Sequence, residues 1–234
     1  MDVRFIGVLI TFFVQAPAWG LDLQGTMQLV QGDVKVKSSK SGQITPAQVH
    51  QQVSVGDTVI TQAAGRVQIE MSDGNVLHVD SGSNLEIQEY HNDDEGKKVL
   101  LNLIRGRVRA QVKMKYDHLG DRFELTTPAA VTGVRGTDFL TEYNEKENTT
   151  RVVTFKGEVE FGTRGPDGRV QKSVRVSEGK TSRMIAGNMP SEPKAAPKKM
   201  LQRLERRSKV ERTKAEHEKK EYRKKERSDK RSHH

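Results

Sequence analysis

Short segments in which apolar and polar side chains alternate fill residues 26–184, and turn-forming residues separate them. Alternation with a period of two is typical of β-strands that bury one face and expose the other. Many short strands joined by tight turns favour two packed sheets or a rolled sheet. The pattern therefore predicts an all-β domain, either an antiparallel β-sandwich or a jelly-roll-like roll, and it leaves a short β-solenoid open.

A weak repeat marks the start of several of these segments. Six of them begin with Gly, one polar residue and Val, at Gly32, Gly65, Gly74, Gly106, Gly157 and Gly168. Gly permits a sharp corner and Val favours the strand that follows, so turn chemistry alone explains the motif. The intervals between the six are irregular, which argues against a strict solenoid repeat.

The two ends of the chain differ from this central region. Residues 1–20 contain a short apolar run followed by small residues, which is the pattern of a secretory signal peptide. Residues 189–197 contain three prolines and predict a linker. The predicted order is a signal peptide at 1–20, a β domain at 21–188, a Pro-rich linker at 189–197 and a basic charged tail at 198–234. We expect a periplasmic or secreted protein with no transmembrane segment after processing.

The net charge of +9 is concentrated in one region. Residues 191–234 hold 17 Lys and Arg against 8 Asp and Glu, which leaves 23 of each kind in residues 1–190 out of totals of 40 and 31. A globular nucleic-acid-binding domain would carry its basic residues on the folded body, and this distribution does not favour one. We expect no nucleic-acid partner.

Strong helix formers and many Glu/Lys pairs at helical spacing follow residue 198. The apolar seam that starts at Leu201 and Leu204 fades after Val210. This predicts a helical or disordered tail, frayed because it buries no face. Two roles stay open for it: a solubilising spacer, or electrostatic attachment to anionic lipid or cell-wall polymer.

Residue types that carry chemistry are sparse or scattered. The chain has no Cys, which excludes disulfides and thiolate chemistry, and its seven His show no metal-ligand spacing. Acidic residues such as Asp57, Asp73 and Asp138 fall at turns, where Asp commonly accepts backbone hydrogen bonds. We therefore expect no catalytic residue, no metal and no cofactor, and hence no enzymatic activity.

The stretch at residues 125–143 contains the most distinctive local pattern. Two glycines flank Arg135, which predicts two short strands that meet at a tight corner. Asp138 and the Thr137 hydroxyl are the nearest groups that the guanidinium could bind. The favoured interpretation is a buried staple, so that Arg135→Ala would lower the melting temperature. The alternative is a partly exposed Arg135 that contacts a ligand or partner.

Several motifs together resemble the FecR domain family over residues 53–184. They are, in chain order, Gly56-Asp57-Thr58-Val59, Gly65-Arg66-Val67, Asp73-Gly74, Thr127-Pro128, Arg135-Gly136-Thr137 followed by Asp138, and residues 152–159 with Gly157. The resemblance implies an all-β fold. It also identifies motif residues with a structural or partner-contact role, namely Gly56, Asp57, Thr127, Pro128, Arg135, Gly136, Thr137 and Asp138.

For family members with signalling roles, the resemblance implies an inner-membrane anti-sigma regulator with a cytoplasmic helical segment, one transmembrane helix and the β domain outside. This sequence shows neither the helical cytoplasmic module nor the spanning helix. We therefore expect a stand-alone, non-enzymatic binding, sensing or signalling module of the cell envelope, whose partner is an unknown envelope protein or polymer. The alternative is an envelope-attached structural protein whose basic tail binds anionic lipid or cell-wall polymer.

Arg105, Arg107 and Arg109 alternate along one predicted strand, and Lys113 and Lys115 continue the basic stripe. Alternate residues of a strand point to the same face, so a solvated face is the simpler interpretation. The functional interpretation is contact with an anionic surface, such as a polysaccharide or a lipid headgroup.

Overall fold

The computed structural model describes residues 23–93, 96–113, 115–116, 118, 120–166 and 168–232, so the predicted signal peptide lies outside the described residues. The strands are β1 (Leu23–Gln31), β2 (Val34–Lys37), β3 (Ile44–Pro46), β4 (Gln52–Ser54), β5 (Thr58–Thr61), β6 (Arg66–Met71), β7 (Val76–Val79), β8 (Asn84–Asp93), β9 (Gly96–Gln111), β10 (Arg122–Thr126), β11 (Val131–Val134), β12 (Asp138–Asn144), β13 (Thr149–Lys156), β14 (Glu158–Arg164), β15 (Val170–Ser177), β16 (Lys180–Ile185) and β17 (Lys194–Ala195). One helix, α1 (Lys198–Ser232), follows them.

The strands form two sheets that share β9. Sheet A runs in the order β4, β1, β6, β7, the second half of β9, β12, β13, β16 and β17. Sheet B runs in the order β3, β2, β5, β8, the first half of β9, β10, β11, β14 and β15. Neighbouring strands are antiparallel apart from the parallel pair of β9 and β10. The predicted all-β fold is confirmed.

One hydrophobic cluster joins the two sheets. It includes Ile69 and Val108 from sheet A and Leu85, Leu101 and Phe161 from sheet B, all with no measurable exposure. Alternate residues of each strand enter this cluster, as the period-two pattern in the sequence requires. Burial of this apolar surface is the main source of the stability of the fold.

The Gly-x-Val repeat has a clear place in this architecture. Four of its glycines lie where the chain leaves one sheet for the other, namely Gly32, Gly65, Gly106 and Gly157, and the other two lie in hairpin turns within one sheet, namely Gly74 and Gly168. A crossing from one layer to the next needs a sharper bend than a strand residue with a side chain adopts easily. The repeat therefore marks two kinds of corner, four changes of layer and two hairpins within a layer, and this mixture explains its irregular intervals.

Gly106 shows why one of these corners requires glycine. It lies where β9 passes from sheet B to sheet A, and its φ angle is +89°. A Cβ atom at this position would lie 2.5 Å from Ser83 Cα and 2.7 Å from the carbonyl oxygen of Gly82. The Ser83 hydroxyl fixes the crossing from the other side, because it accepts a hydrogen bond from the amide of Arg107 at 2.9 Å.

Helix α1 crosses the outer face of sheet A. Near its start, a second hydrophobic cluster joins Leu204 to Leu140 of β12 and to Val153 of β13. Farther along, Ala215 is only 3% exposed, and the ring of Tyr222 lies 3.8 Å from that of His50, centroid to centroid. The expectation that the tail buries no face was therefore wrong. Leu140, Val153 and Phe155 on the outer face of sheet A pack with Met200, Leu201 and Leu204 of α1, so the short apolar seam of the helix is enough to bury one face.

The segment that leads into α1 also lies on sheet A. Ser182 donates a hydrogen bond to the carbonyl of Ser191 at 2.6 Å, and β17 pairs with β16. Residues 189–197, for which the prolines predict a linker, thus extend the edge of the sheet before the helix begins. Within the described ranges, no helix combines the length and the apolar character needed to span a membrane.

Leu204→Ala is expected to weaken the docking of α1. Truncation of a buried Leu typically costs about 2–5 kcal/mol, and here the loss falls on the interface between the helix and sheet A. Hydrogen exchange of the α1 amides measures this loss directly. Val210→Ala is the matched control, because Val210 lies on the same helix and is 56% exposed. Equal amide protection in the two variants would contradict the docking.

Candidate functional site

The corner predicted around Arg135 joins β11 of sheet B to β12 of sheet A. Gly136 has a φ angle of +90°, and the carbonyl of Thr137 accepts a hydrogen bond from the amide of Val112 at 2.8 Å. The side chain of Arg135 is exposed. Asp138, which the sequence suggested as its partner, is instead bound by Arg109.

Arg109 and Asp138 form a bidentate ion pair beneath α1. Arg109 Nε lies 2.7 Å from Asp138 Oδ1, and Arg109 Nη2 lies 2.8 Å from Asp138 Oδ2. Such a two-point contact matches the planar shapes of both groups and is stronger than a single hydrogen bond. Arg109 is 7% exposed, so the pair is largely shielded from water and salt.

The same guanidinium also connects sheet A to the helix. Its central carbon lies 3.9 Å above the ring of Phe155, and Nη1 donates a hydrogen bond to the carbonyl oxygen of Leu204 at 3.3 Å. The flat, weakly hydrated guanidinium suits both contacts, which an ammonium group would not reproduce. Arg109 is therefore the buried arginine that holds this region together. The sequence interpretation assigned that role to Arg135, and it was wrong.

Arg135→Ala is expected to leave the melting temperature unchanged. The side chain is exposed, and substitutions at such positions usually change the free energy of unfolding by no more than about 0.5 kcal/mol. This replaces the expectation from sequence that the variant would be destabilised. Thermal unfolding followed by circular dichroism tests it, and a clear drop in melting temperature would restore the staple interpretation.

Acidic side chains on neighbouring strands form ion pairs with arginines of the predicted basic stripe on β9. Arg107 Nη2 lies 2.7 Å from Asp80 Oδ2, and Nη1 lies 3.7 Å from Glu142 Oε1. Arg109 is held by Asp138, and Arg105 is half-buried. Cross-strand neighbours thus neutralise Arg107 and Arg109, because β7 and β12 bring carboxylates alongside β9. Neither of these two arginines is free to contact an anionic surface.

Asp57 and Gly56 hold the turn between β4 and β5. The Asp57 carboxylate accepts hydrogen bonds from the amides of Ser39 and Ser54, both at 2.9 Å. Gly56 has a φ angle of +86°, and a Cβ there would lie 2.7 Å from Ser39 Cβ. Asp57 therefore satisfies backbone donors of the loop after β2 and of the end of β4, which is the structural role that Asp commonly has at turns.

Thr127 and Pro128 form the turn between β10 and β11. The Thr127 hydroxyl accepts a hydrogen bond from the amide of Ala130 at 3.0 Å and lies 2.6 Å from the hydroxyl of Thr150 on β13. Pro128 pre-sets its backbone angle for the turn. These motif residues thus connect a turn of sheet B to a strand of sheet A.

A buried polar cluster ties the segment after β9 to the hairpin of β6 and β7. Tyr116 donates a hydrogen bond to Asp73 Oδ2 at 3.1 Å, and the amide of Asp73 donates to the Tyr90 hydroxyl at 3.3 Å. The amide of Lys113 donates to Asn75 Oδ1 at 2.8 Å. Nothing in the sequence pattern marked Tyr90 or Tyr116 as partners of Asp73.

The protein is expected to lose stability above about pH 10. Burial, and then the charge of Asp73, raise the pKa of Tyr116, and burial followed by the hydrogen bond with Asp73 raises the pKa of Tyr90. The folded state therefore keeps these protons at a pH where the unfolded chain loses them. Their contribution is complete below the ordinary tyrosine pKa and declines as the pH rises above it. Denaturant unfolding across this range should show a smaller decline for Tyr116→Phe, and an identical decline would contradict the assignment.

Two clefts meet at the Arg135 corner, whose residues Arg135, Gly136 and Thr137 line both. The larger, of about 870 Å³, lies between α1 and the outer face of sheet A. The smaller, of about 570 Å³, lies beside sheet B and is lined by Arg169 and Arg175 among others. In the part of the chain that the structure describes, no three His, Asp or Glu side chains converge to hold a metal ion. The corner thus offers binding surfaces, and its composition suits recognition by charge and hydrogen bonds.

Solved structures provide some matches, and none of the curated proteins matches the chain. Two crystal structures of a candidate anti-sigma factor from Parabacteroides distasonis are 19% and 18% identical to it, with TM-scores of 0.47 and 0.46. Each match covers 59% of this chain, which spans 59% of the length of those proteins. A cell surface anchoring domain is 27% identical over 31% of this chain and 96% of its own, with a TM-score of 0.29.

These TM-scores are low, so identification depends on the family comparison. Residues 57–160 match the family described as FecR protein. The matched range runs from the turn before β5 to the middle of β14 and contains Asp57, Thr127, Pro128 and the whole Arg135 corner. The chain therefore carries a FecR domain at residues 57–160.

Proposed function

We propose that this protein is a non-enzymatic binding and sensing module of the cell envelope, exported to the periplasm or beyond. The observation that supports it best is the family match over residues 57–160, because it contains the complete Arg135 corner, whose residues line both clefts. Most motif residues there hold turns and layer crossings. Arg135 differs, since its side chain is exposed between the clefts.

The exposure of Arg135 supports a contact role for this residue. An exposed guanidinium offers five hydrogen-bond donors to a partner and retains its charge at every physiological pH. Asp138 is not available to neutralise it, because Arg109 occupies both carboxylate oxygens. The corner therefore positions a cation on a rigid part of the fold, where an acidic group of a partner would find it.

Site-specific photocrosslinking in intact cells tests this function. A photoreactive residue is placed at Arg135 and, as a matched control, at Ile185, which is 42% exposed on β16. We expect the processed chain in the envelope fraction, with a discrete adduct from position 135 and none from position 185. An unprocessed chain in the cytosol, or the same adducts from both positions, would contradict the proposal.

A second function is favoured by the outer side of α1. Among the α1 side chains that the structure describes, eight cationic ones are exposed, namely Lys198, Lys199, Arg203, Arg206, Lys209, Lys214, Lys220 and Lys224. Because Leu204 and Ala215 attach the opposite side to sheet A, the helix presents these cations to the surroundings. Such an array suits attachment to anionic lipid or cell-wall polymer, with attraction that weakens as salt rises.

Deletion of residues 190–234 separates the two functions. Attachment through the helix predicts that the shortened chain leaves the envelope fraction and no longer sediments with vesicles of anionic phosphatidylglycerol. Unchanged localisation after the deletion would exclude attachment through α1. The crosslink at position 135 would remain informative in either case, because that corner belongs to the sheets.

A further inference from the structure

We propose that the cleft between α1 and sheet A binds a small polyhydroxylated anion, such as a sugar acid or a sugar phosphate. This goes beyond the proposed function, which names no ligand. The volume of about 870 Å³ lies within the range of small-molecule sites in proteins. The inference depends on two features that occur together. Buried polar groups without hydrogen-bond partners lie at the base of the cleft, and cationic side chains surround its mouth.

The floor of the cleft consists of polar side chains on sheet A. Gln28 of β1 and Gln68 of β6 are each 8% exposed, and the Oε1 atom of each is buried without a hydrogen-bond partner among the described residues. An unsatisfied buried polar atom is destabilising, because it has lost its hydrogen bonds to water and gained none in the protein. Two such atoms lining one cleft favour a ligand that donates hydrogen bonds to them.

Thr137 adds a third group of this kind. It is 4% exposed, it lines the cleft, and its hydroxyl has no partner within the described part of the chain. A hydroxyl both donates and accepts, so it complements a sugar hydroxyl in either direction. Three separated hydrogen-bonding groups would suit a ligand with several hydroxyls better than a simple ion.

Four cationic side chains surround the mouth, namely Lys113, Lys115, Arg135 and Lys156, and all four are exposed. The acidic residues that line the cleft are Glu70, Asp138 and Glu216, and the charge of Asp138 is neutralised by Arg109. Positive charge therefore exceeds negative charge around the opening. In a concave site this attracts an anion more strongly than on a flat surface.

The ligand class follows from these two observations together. The base of the cleft requires hydrogen-bond donors and acceptors, and its mouth requires negative charge. A carboxylate or a phosphate on a sugar ring satisfies both requirements. The walls belong to different elements, since Gln28 and Gln68 lie on the sheet and Glu216 lies on α1, so a bound ligand would contact both.

Isothermal titration calorimetry on the full chain tests the inference with four probes: glucuronate, glucose 6-phosphate, glucose and inorganic phosphate. We expect at least one of the two charged sugars to bind with a Kd at least about tenfold lower than those of glucose and inorganic phosphate, a difference equivalent to about 1.4 kcal/mol. Comparison of glucuronate with glucose 6-phosphate shows which acidic group is preferred.

Three variants connect this binding to the cleft. Arg135→Gln combined with Lys156→Gln removes two exposed cations and should weaken binding of the charged sugar at least tenfold with no change in melting temperature. Thr137→Val removes the buried hydroxyl at nearly constant volume and should weaken it several-fold. Arg183→Gln is the control, because Arg183 is an exposed cation on β16 outside the cleft, and should bind as the unmodified protein does.

Several results would overturn the inference. They are no binding of either charged sugar, binding of glucose as tight as that of the tighter-binding charged sugar, and binding of inorganic phosphate as tight as that of the tighter-binding charged sugar. An equal loss of charged-sugar binding in the Arg183→Gln control would also overturn the inference. None of these results would affect the crosslinking test, so failure of the ligand inference is distinguishable from failure of the proposed function.

Discussion

Asp138→Ala is expected to lower the free energy of unfolding by about 3–5 kcal/mol, because it leaves Arg109 buried without its carboxylate. Arg109 is 7% exposed and contacts Asp138 through two nitrogens at 2.7 and 2.8 Å. Loss of the carboxylate would also release the guanidinium from its position over Phe155. We therefore expect both a lower denaturation midpoint and weaker protection of the α1 amides.

Two further variants identify the cause of that loss. Glu142→Ala is the matched control, because Glu142 contacts Arg107 and Arg151 only at 3.7 Å and is partly exposed, and such pairs contribute at most about 1 kcal/mol. The double variant Arg109→Met with Asp138→Ala removes both charges and should recover part of the stability. Equal losses of unfolding free energy in Asp138→Ala and Glu142→Ala would show that the buried ion pair contributes no more to stability than the partly exposed one.

Gly106→Ala is expected to lower the free energy of unfolding by about 3 kcal/mol or more, since it adds backbone strain and a clash at one position. The φ angle of +89° disfavours any residue with a side chain. The new Cβ would lie 2.5 Å from Ser83 Cα, and this contact can be relieved only by displacement of the backbone. Equilibrium unfolding in urea measures the change.

Gly74→Ala separates the two contributions. Gly74 has a similar φ angle of +82°, but a Cβ there would meet nothing within 4 Å. Its cost should therefore be the strain alone, about 1 kcal/mol. If the two variants lost the same amount, the close approach of Gly106 to Ser83 would not matter for stability.

The fold class was predictable from the sequence because each strand carries its own period-two signal. Ile69, Val108 and Leu101 are buried at the positions that alternation requires. The Gly-x-Val repeat was visible as well, but its meaning was not. Corners between layers and hairpins within a layer use the same residues, and only the pairing of the strands distinguishes Gly106 from Gly74.

The site was predicted only in part, because sequence proximity favoured the wrong pair. Arg135 is three residues from Asp138 in the chain, whereas Arg109 is 29 residues away and reaches Asp138 across neighbouring strands. The register of β9 against β12 places them together, and register is a property of the folded sheet. Gln28 and Gln68 were missed for a related reason, since isolated glutamines on strands carry no sequence signal.

The helix shows a different limit of sequence analysis. Its own apolar seam is short, and the sequence alone indicated a helix with nothing to bury. Leu140, Val153 and Phe155, which receive Leu204, lie on strands whose other face forms the core. When a helix of the same chain covers a sheet, the strands of that sheet carry apolar residues on both faces. The sequence does not show which element covers the outer face.

The continuity of β9 through both sheets limits how this protein can respond to a partner. Hinge opening or sliding of one sheet against the other would break the backbone hydrogen bonds of a single 16-residue strand to its neighbours in both layers. We therefore expect the two-sheet body to move as one rigid unit. A conformational signal would have to travel through the parts attached to its outside, above all through displacement of α1 from sheet A.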